Sequence, residues 1–241
     1  MIKNIEEAGV YEIKINDQVK DDLKALSDPK YREFHGSLCP GTNNILGVRV
    51  PVLRKYAKEF IKANPNTSYK QIDDEFYEEV LLKGMLIGLI SKNDFEANLK
   101  ELEYFIPKIN NWAVCDIFVA GLKFIKKNPQ NYWDFIKNYI KSSKEFEKRF
   151  AYVTLLDYYI TDEYIDEVLK MLVSEQSQEY YVYMAVAWAL SVCLIKYYEK
   201  TVNAMKSSNL NKITYNKAIQ KACESFRIDN AKKEVLRKLK K

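Results

Sequence analysis

The chain has 241 residues, a formal net charge of +5, 47% hydrophobic and 29% charged side chains, and no Gly/Ser/Pro-rich linker. That balance excludes a disordered or low-complexity chain and suits one continuous domain with a sizeable core. His35 is the single histidine, and Cys39, Cys115, Cys193 and Cys223 are far apart. His-rich metal sites, a disulfide framework and a histidine-based triad are therefore poor readings, and reduced core thiols in a cytoplasmic protein the better one.

The start reads as a frayed segment without a secretory signal, because Asn4, Glu6 and Glu7 stand where an apolar run belongs. Short helices follow over 17–26 and 29–38, the second with Pro29 in its first turn. Turn residues from Cys39 to Asn44 then make a loop, and Ile45 to Val50 read as a connector into a helix that Pro51 opens and that runs to about Asn64. From there the pattern is helix after helix, over 74–91, 94–106, 112–127, 129–140, 145–160, 162–173, 179–198, 201–206, 213–225 and 230–240, with short turns that set consecutive helices antiparallel. The longest nearly apolar run, Ala185 to Ile195, is interrupted by Ser191 and is far shorter than the roughly 20 residues that cross a membrane.

Spacing adds an architecture to this list. Arg149 follows Trp112 by 37 residues and Trp188 follows Arg149 by 39, each on a helix of its own. A recurrence of about 40 residues carried by helix pairs marks an all-α, HEAT-like repeat solenoid, in which the second helix of each pair lines one concave surface.

The stretch Asn110-Asn111-Trp112-Ala113-Val114-Cys115-Asp116 draws most attention. Asparagine is suited to cap a helix, and Trp112 and Asp116 are four residues apart, on one face. At about 100° per residue, Val114, Ile117, Phe118, Gly121, Leu122, Phe124 and Ile125 gather in an apolar arc, leaving Trp112, Asp116, Lys123 and Lys127 outside it. An aromatic among charges is a candidate site for a cationic or nucleic-acid ligand. On this helix alone, a Trp packed on the next helix beside a solvated Asp116 is an equal reading.

Two further residues join by position. Arg149 lies in a helix apolar nearly all round, so its guanidinium either pairs with a buried carboxylate or emerges to meet an anion such as phosphate. Trp188 lies in Tyr180 to Leu190, apolar on every face, and periodicity alone makes it core.

The segments I-L-G-V-R-V-P-x-L-R at 45–54, N-N-W-A-V-C-D at 110–116, K-R-F-A at 148–151 and Y-Y-V-Y-M-A-V-A-W at 180–188 resemble, in order and spacing, the DNA alkylation repair family, the AlkD-type DNA glycosylases. The resemblance runs from about residue 30 to 230. It implies a curved stack of HEAT-like repeats with a concave basic face for duplex DNA. It also implies a monofunctional glycosylase, monomeric and needing neither metal nor cofactor, that hydrolyses the N-glycosidic bond of cationic N3- or N7-alkylated purines. By position Asp116 matches the catalytic aspartate, Trp112 and Trp188 the tryptophans that flank the lesion, and Arg149 an arginine on the DNA backbone. Lys123 is a further candidate for DNA contact. Met184 and Ser191 stand where excising members carry basic residues, and Tyr31 or Phe34 are the nearest candidates for an N-terminal aromatic. Two other readings stay open: a non-excising protein that binds distorted or branched DNA, and a protein-interaction scaffold.

Overall fold

The computed structural model describes residues 15–65, 67–91 and 93–241. The readings made on Asn4, Glu6 and Glu7 lie outside them, as does Lys92 of the 91–94 turn. All regular structure among the described residues is helical: α1 (15–25), α2 (Pro29–Leu38), α3 (Val50–Ala63), α4 (Tyr77–Ile90), α5 (Phe95–Phe105), α6 (Trp112–Gly121), α7 (Lys123–Lys127), α8 (Pro129–Ile140), α9 (Glu145–Thr154), α10 (Ile165–Ser174), α11 (Tyr180–Lys196), α12 (Tyr198–Lys206), α13 (Lys212–Glu224) and α14 (Asn230–Lys238). Short 3-10 turns occupy Tyr69–Gln71 and Ile106–Lys108, and a π-helical turn continues α9 over Leu155–Tyr159. No described helix is long and apolar enough to cross a membrane.

Chain contacts gather into two compact units, one ending at Phe124 and the other beginning at Ile125. In the first, α4 is the central element, packed against α3 and α6. Its residues Tyr77 to Ile87 are all buried, which fits a helix apolar around most of its circumference. Two glycines let its neighbours come close. A Cβ at Gly88 would lie 2.7 Å from the Gly121 carbonyl oxygen of α6, and one at Gly84 would lie 2.9 Å from the Phe105 ring. In the second unit α11 is central, packed against α9 and α13 with α10 and α12 behind it. Second helices of successive pairs thus lie side by side, α4 with α6 in one unit and α9, α11 and α13 in the other, as a HEAT-like repeat requires.

Two expected helices are altered. The helix expected over 112–127 is interrupted at Leu122, whose backbone (φ −79, ψ 56) leaves the helical region before α7 begins. The one expected over 145–160 changes hydrogen-bond register at Leu155, with the Thr154 hydroxyl donating to the Phe150 carbonyl at 2.7 Å just before. Cys39, Cys115 and Cys193 are buried thiols and Cys223 is half-buried, all four unbridged.

Candidate functional site

α6 begins where Asn111 caps it. The Asn111 side-chain oxygen accepts from the backbone N–H of Ala113 and Val114, both at 3.0 Å, and the Asn111 amide donates to Asn110 Oδ1 at 2.9 Å. Burial then wraps the helix more completely than the expected apolar arc. Val114, Phe118 and Leu122 are buried as that arc required, but so are Ala113, Cys115 and Val119, while Ile117 and Gly121 are half-buried. Trp112, Asp116 and Ala120, one turn apart, are likewise half-buried, so the partly exposed side of the helix runs along Trp112, Asp116, Ile117, Ala120 and Gly121. Because the helix stops at Gly121, the 100° progression does not carry Lys123 onto this side; Lys123 is exposed on α7.

Trp112 is held from outside its own helix. Its indole N–H donates to the Leu38 carbonyl at 2.9 Å, and its ring lies 6.4 Å from that of His35. His35 is buried and its Nε2 shares a 2.8 Å hydrogen bond with the Tyr77 hydroxyl, with Cys39 Sγ at 3.5 Å. Burial lowers its pKa from the ordinary imidazole value, against a smaller opposing pull from the Glu78 charge. Tyr31 stacks on His35 at 5.5 Å with the Arg49 guanidinium 4.9 Å above its ring, and Phe34 is 59% exposed. Of the two aromatics considered on α2, one is therefore part of the support and the other points to solvent.

This support rests on one buried carboxylate. Glu78 Oε1 accepts from the N–H of Gly47 and Val48 at 2.7 and 3.1 Å, and Oε2 from Leu46 at 2.9 Å. Gly47 occupies a left-handed conformation (φ 95), and a Cβ there would lie 2.5 Å from the Asp28 carbonyl oxygen, so glycine is required. The loop is fastened to α2 through Asp28, which donates its N–H to Gly47 O and accepts from Arg49 at 3.1 and 2.8 Å. Nearby, a cleft of about 250 Å³ opens between 41–44, 74–77 and Asn110. Its carboxylates are neutralised: Asp74 by Lys83 and Lys108, each at 2.6 Å, and Glu75 by Lys20 at 2.8 Å.

The second unit carries the other two candidates. Arg149 is buried on α9, and its Nη1 donates to the Tyr181 carbonyl of α11 at 2.9 Å, with the guanidinium 5.9 Å from the Tyr181 ring. Trp188 is not enclosed, contrary to what periodicity alone suggested. Val182, Ala185, Val186, Ala187, Ala189 and Leu190 are buried on α11, whereas Tyr181, Met184, Trp188, Val192 and Ile195 form a half-buried stripe without charge. A helix apolar all round cannot reveal which face its neighbours leave open. Ser191 is buried, and its hydroxyl donates to the Trp188 carbonyl at 2.7 Å, so it serves the helix itself.

A family model described as DNA alkylation repair enzyme matches residues 19–223. The chain belongs to this DNA alkylation repair family. No curated protein matches it. The family match takes in both units and all the segments that carried the resemblance, and it is consistent with a role in DNA alkylation repair. Among the residues on which this member's support depends, Glu78 and His35 were not singled out from the sequence. A signal existed for Glu78: Glu78, Glu79 and Lys83 interrupt an otherwise apolar helix, and buried charges require partners.

Proposed function

We propose that the chain is a monofunctional DNA glycosylase that hydrolyses the N-glycosidic bond of cationic N3- or N7-alkylated purines in duplex DNA, acting as a monomer without metal or cofactor. One observation carries the reading: on the partly exposed side of a mostly buried helix, Asp116 lies one turn from an indole that is fixed by the Leu38 carbonyl. A cationic alkylpurine is already a good leaving group, and its departure leaves an oxocarbenium-like sugar. The Asp116 carboxylate stabilises that developing charge and orients the attacking water. Trp112 and Trp188 offer aromatic faces that favour a cation, and Arg149 holds phosphate. Lys123 is a lesser candidate for backbone contact. Duplex DNA with N7-methylguanine, incubated with the protein and then treated with mild alkali, tests the reading: it predicts strand cleavage at the lesion that Asp116→Asn abolishes without loss of folding.

The uncharged stripe of α11 favours a second reading, a protein that binds distorted or branched DNA without excision. Met184 brings no charge to that stripe and the Ser191 hydroxyl is already engaged. Under this reading binding falls steeply with salt and Asp116→Asn leaves affinity equal or slightly higher. Lesion-dependent base release removes it.

A further inference from the structure

The segment that fixes Trp112 also walls a cleft that the chemistry proposed at Asp116 does not use. Leu38, at the end of α2, accepts from the Trp112 indole, and a few residues on, 41–44 form one side of the cleft of about 250 Å³ whose other sides are 74–77 and Asn110. That wall is fastened at Asn44. Its side-chain amide donates to the Glu75 carbonyl and its own carbonyl accepts from the Tyr77 N–H, both at 3.1 Å, so the cleft is formed before any ligand arrives. Charge does not select its occupant, because Asp73, Asp74 and Glu75 are balanced by Lys20, Lys83 and Lys108. The uncommitted groups are neutral. The Thr42 hydroxyl and the Asn43 amide hydrogen-bond to no described residue, Asn44 keeps its side-chain oxygen, and Asn110, whose oxygen accepts from Asn111, keeps its N–H₂. Half-buried Phe76 and buried Tyr77 add aromatic carbon to the wall.

Free amides and a hydroxyl beside an aromatic wall suit a flat, uncharged ligand whose edge alternates donors and acceptors. A nucleobase has such an edge, and asparagine pairs with adenine bidentately. A base removed from its stack also gains from aromatic and apolar side chains against its faces. Position points to the same ligand. Asn110 stands two residues before Trp112, at most about 7 Å of chain, and Asp116 is about 6 Å further along α6. A strand that places a sugar at Asp116 therefore brings its bases to the cleft within a few steps of about 3.4 Å. We propose that the cleft seats one unpaired nucleobase extruded from a DNA strand, with Asn43 and Asn110 on its hydrogen-bonding edge. The inference rests on the DNA-binding part of the proposed function and not on base release.

The test is equilibrium binding of the full chain to two duplexes of one sequence, the first fully paired and the second carrying a single unpaired adenine, with free deoxyadenosine as competitor. Wild type is expected to bind the second duplex at least about fivefold more tightly, the lower end of what one bidentate base contact contributes. Asn43→Ala and Asn110→Ala are each expected to bring the ratio of the two affinities toward one. Asn43→Ala should melt at the wild-type temperature, since its side chain holds no described residue. Asn93→Ala, which removes an exposed amide just past the far end of α4, should keep the wild-type ratio. Equal binding of the two duplexes by wild type, or a preference that survives either cleft variant, overturns the seat and leaves DNA binding intact. Displacement of the unpaired-adenine duplex by deoxyadenosine at a similar concentration assigns the cleft to a free nucleoside and overturns its place on DNA. Absence of wild-type binding to either duplex overturns both the seat and the DNA-binding reading.

Discussion

Glu78→Gln tests the support of the Trp112 face most sharply. The carboxylate is 1% exposed and accepts three backbone N–H groups, with Oε1 serving Gly47 and Val48 and Oε2 serving Leu46. Hydrogen bonds to a charged group contribute roughly 1.5–3 kcal/mol each and neutral ones about 1. Glutamine keeps one oxygen for two neutral bonds and turns an N–H₂ toward the third donor. The expected loss is therefore on the order of 3 kcal/mol, with the effects of neighbouring bonds not additive. For a chain of this size that corresponds to a melting temperature lower by about 6–12 °C. Hydrogen exchange gives the local readout: the amides of Leu46, Gly47 and Val48 should lose protection ahead of the α11 helix. Tryptophan emission should shift as well, because the loop is fastened through Asp28 to α2, and α2 supplies the carbonyl that holds Trp112. Wild-type protection of those three amides in the variant would refute the assignment of Glu78 as the clasp.

Three other perturbations follow from the same contacts. Gly88→Ala should lower stability, since overpacking against the Gly121 backbone costs about 1–3 kcal/mol and exceeds the roughly 1 kcal/mol by which alanine favours a helix interior; a urea midpoint at or above wild type would contradict the close approach of α4 and α6. Asp74→Ala leaves the Lys83 ammonium, with its side chain 2% exposed, without its 2.6 Å partner, and a loss of about 3 kcal/mol in denaturant unfolding is expected. His35 is held below its ordinary pKa by burial, so the unfolded chain takes up the proton first as pH falls below about 6.5. Stability should therefore decrease from pH 7.5 to 5.5 and His35→Gln should flatten that decrease, whereas identical pH slopes for the two proteins would show that the imidazole is free to charge in place.

Much of the fold is legible in the residue pattern because its signals are local. Pro29 and Pro129 open helices at their expected positions, and Asn111 caps α6 as its type and place suggest. The breaks that were not foreseen depend on packing. Gly121 is a residue that can end a helix or continue it; α6 ends there where it approaches Gly88, and a helical wheel drawn through that point no longer fixes the face of Lys123. The site divides in the same way. Trp112 and Asp116 stand out because a tryptophan and a carboxylate share a face with charges. Trp188 does not, because a helix apolar on all sides hides its open stripe until neighbours are in place. Glu78 acts through partners 30 or more residues away in the chain, and that property is not written in spacing.

The central claim is base excision dependent on Asp116. Wild type and Asp116→Asn, matched in melting temperature, should be incubated with duplex DNA carrying a single N7-methylguanine, and free methylated base and alkali-labile sites measured together. The account predicts release of the base with stoichiometric abasic sites by wild type, and none above the spontaneous rate by the variant. Retention of the duplex by wild type without base release, or equal release by both proteins, would contradict it.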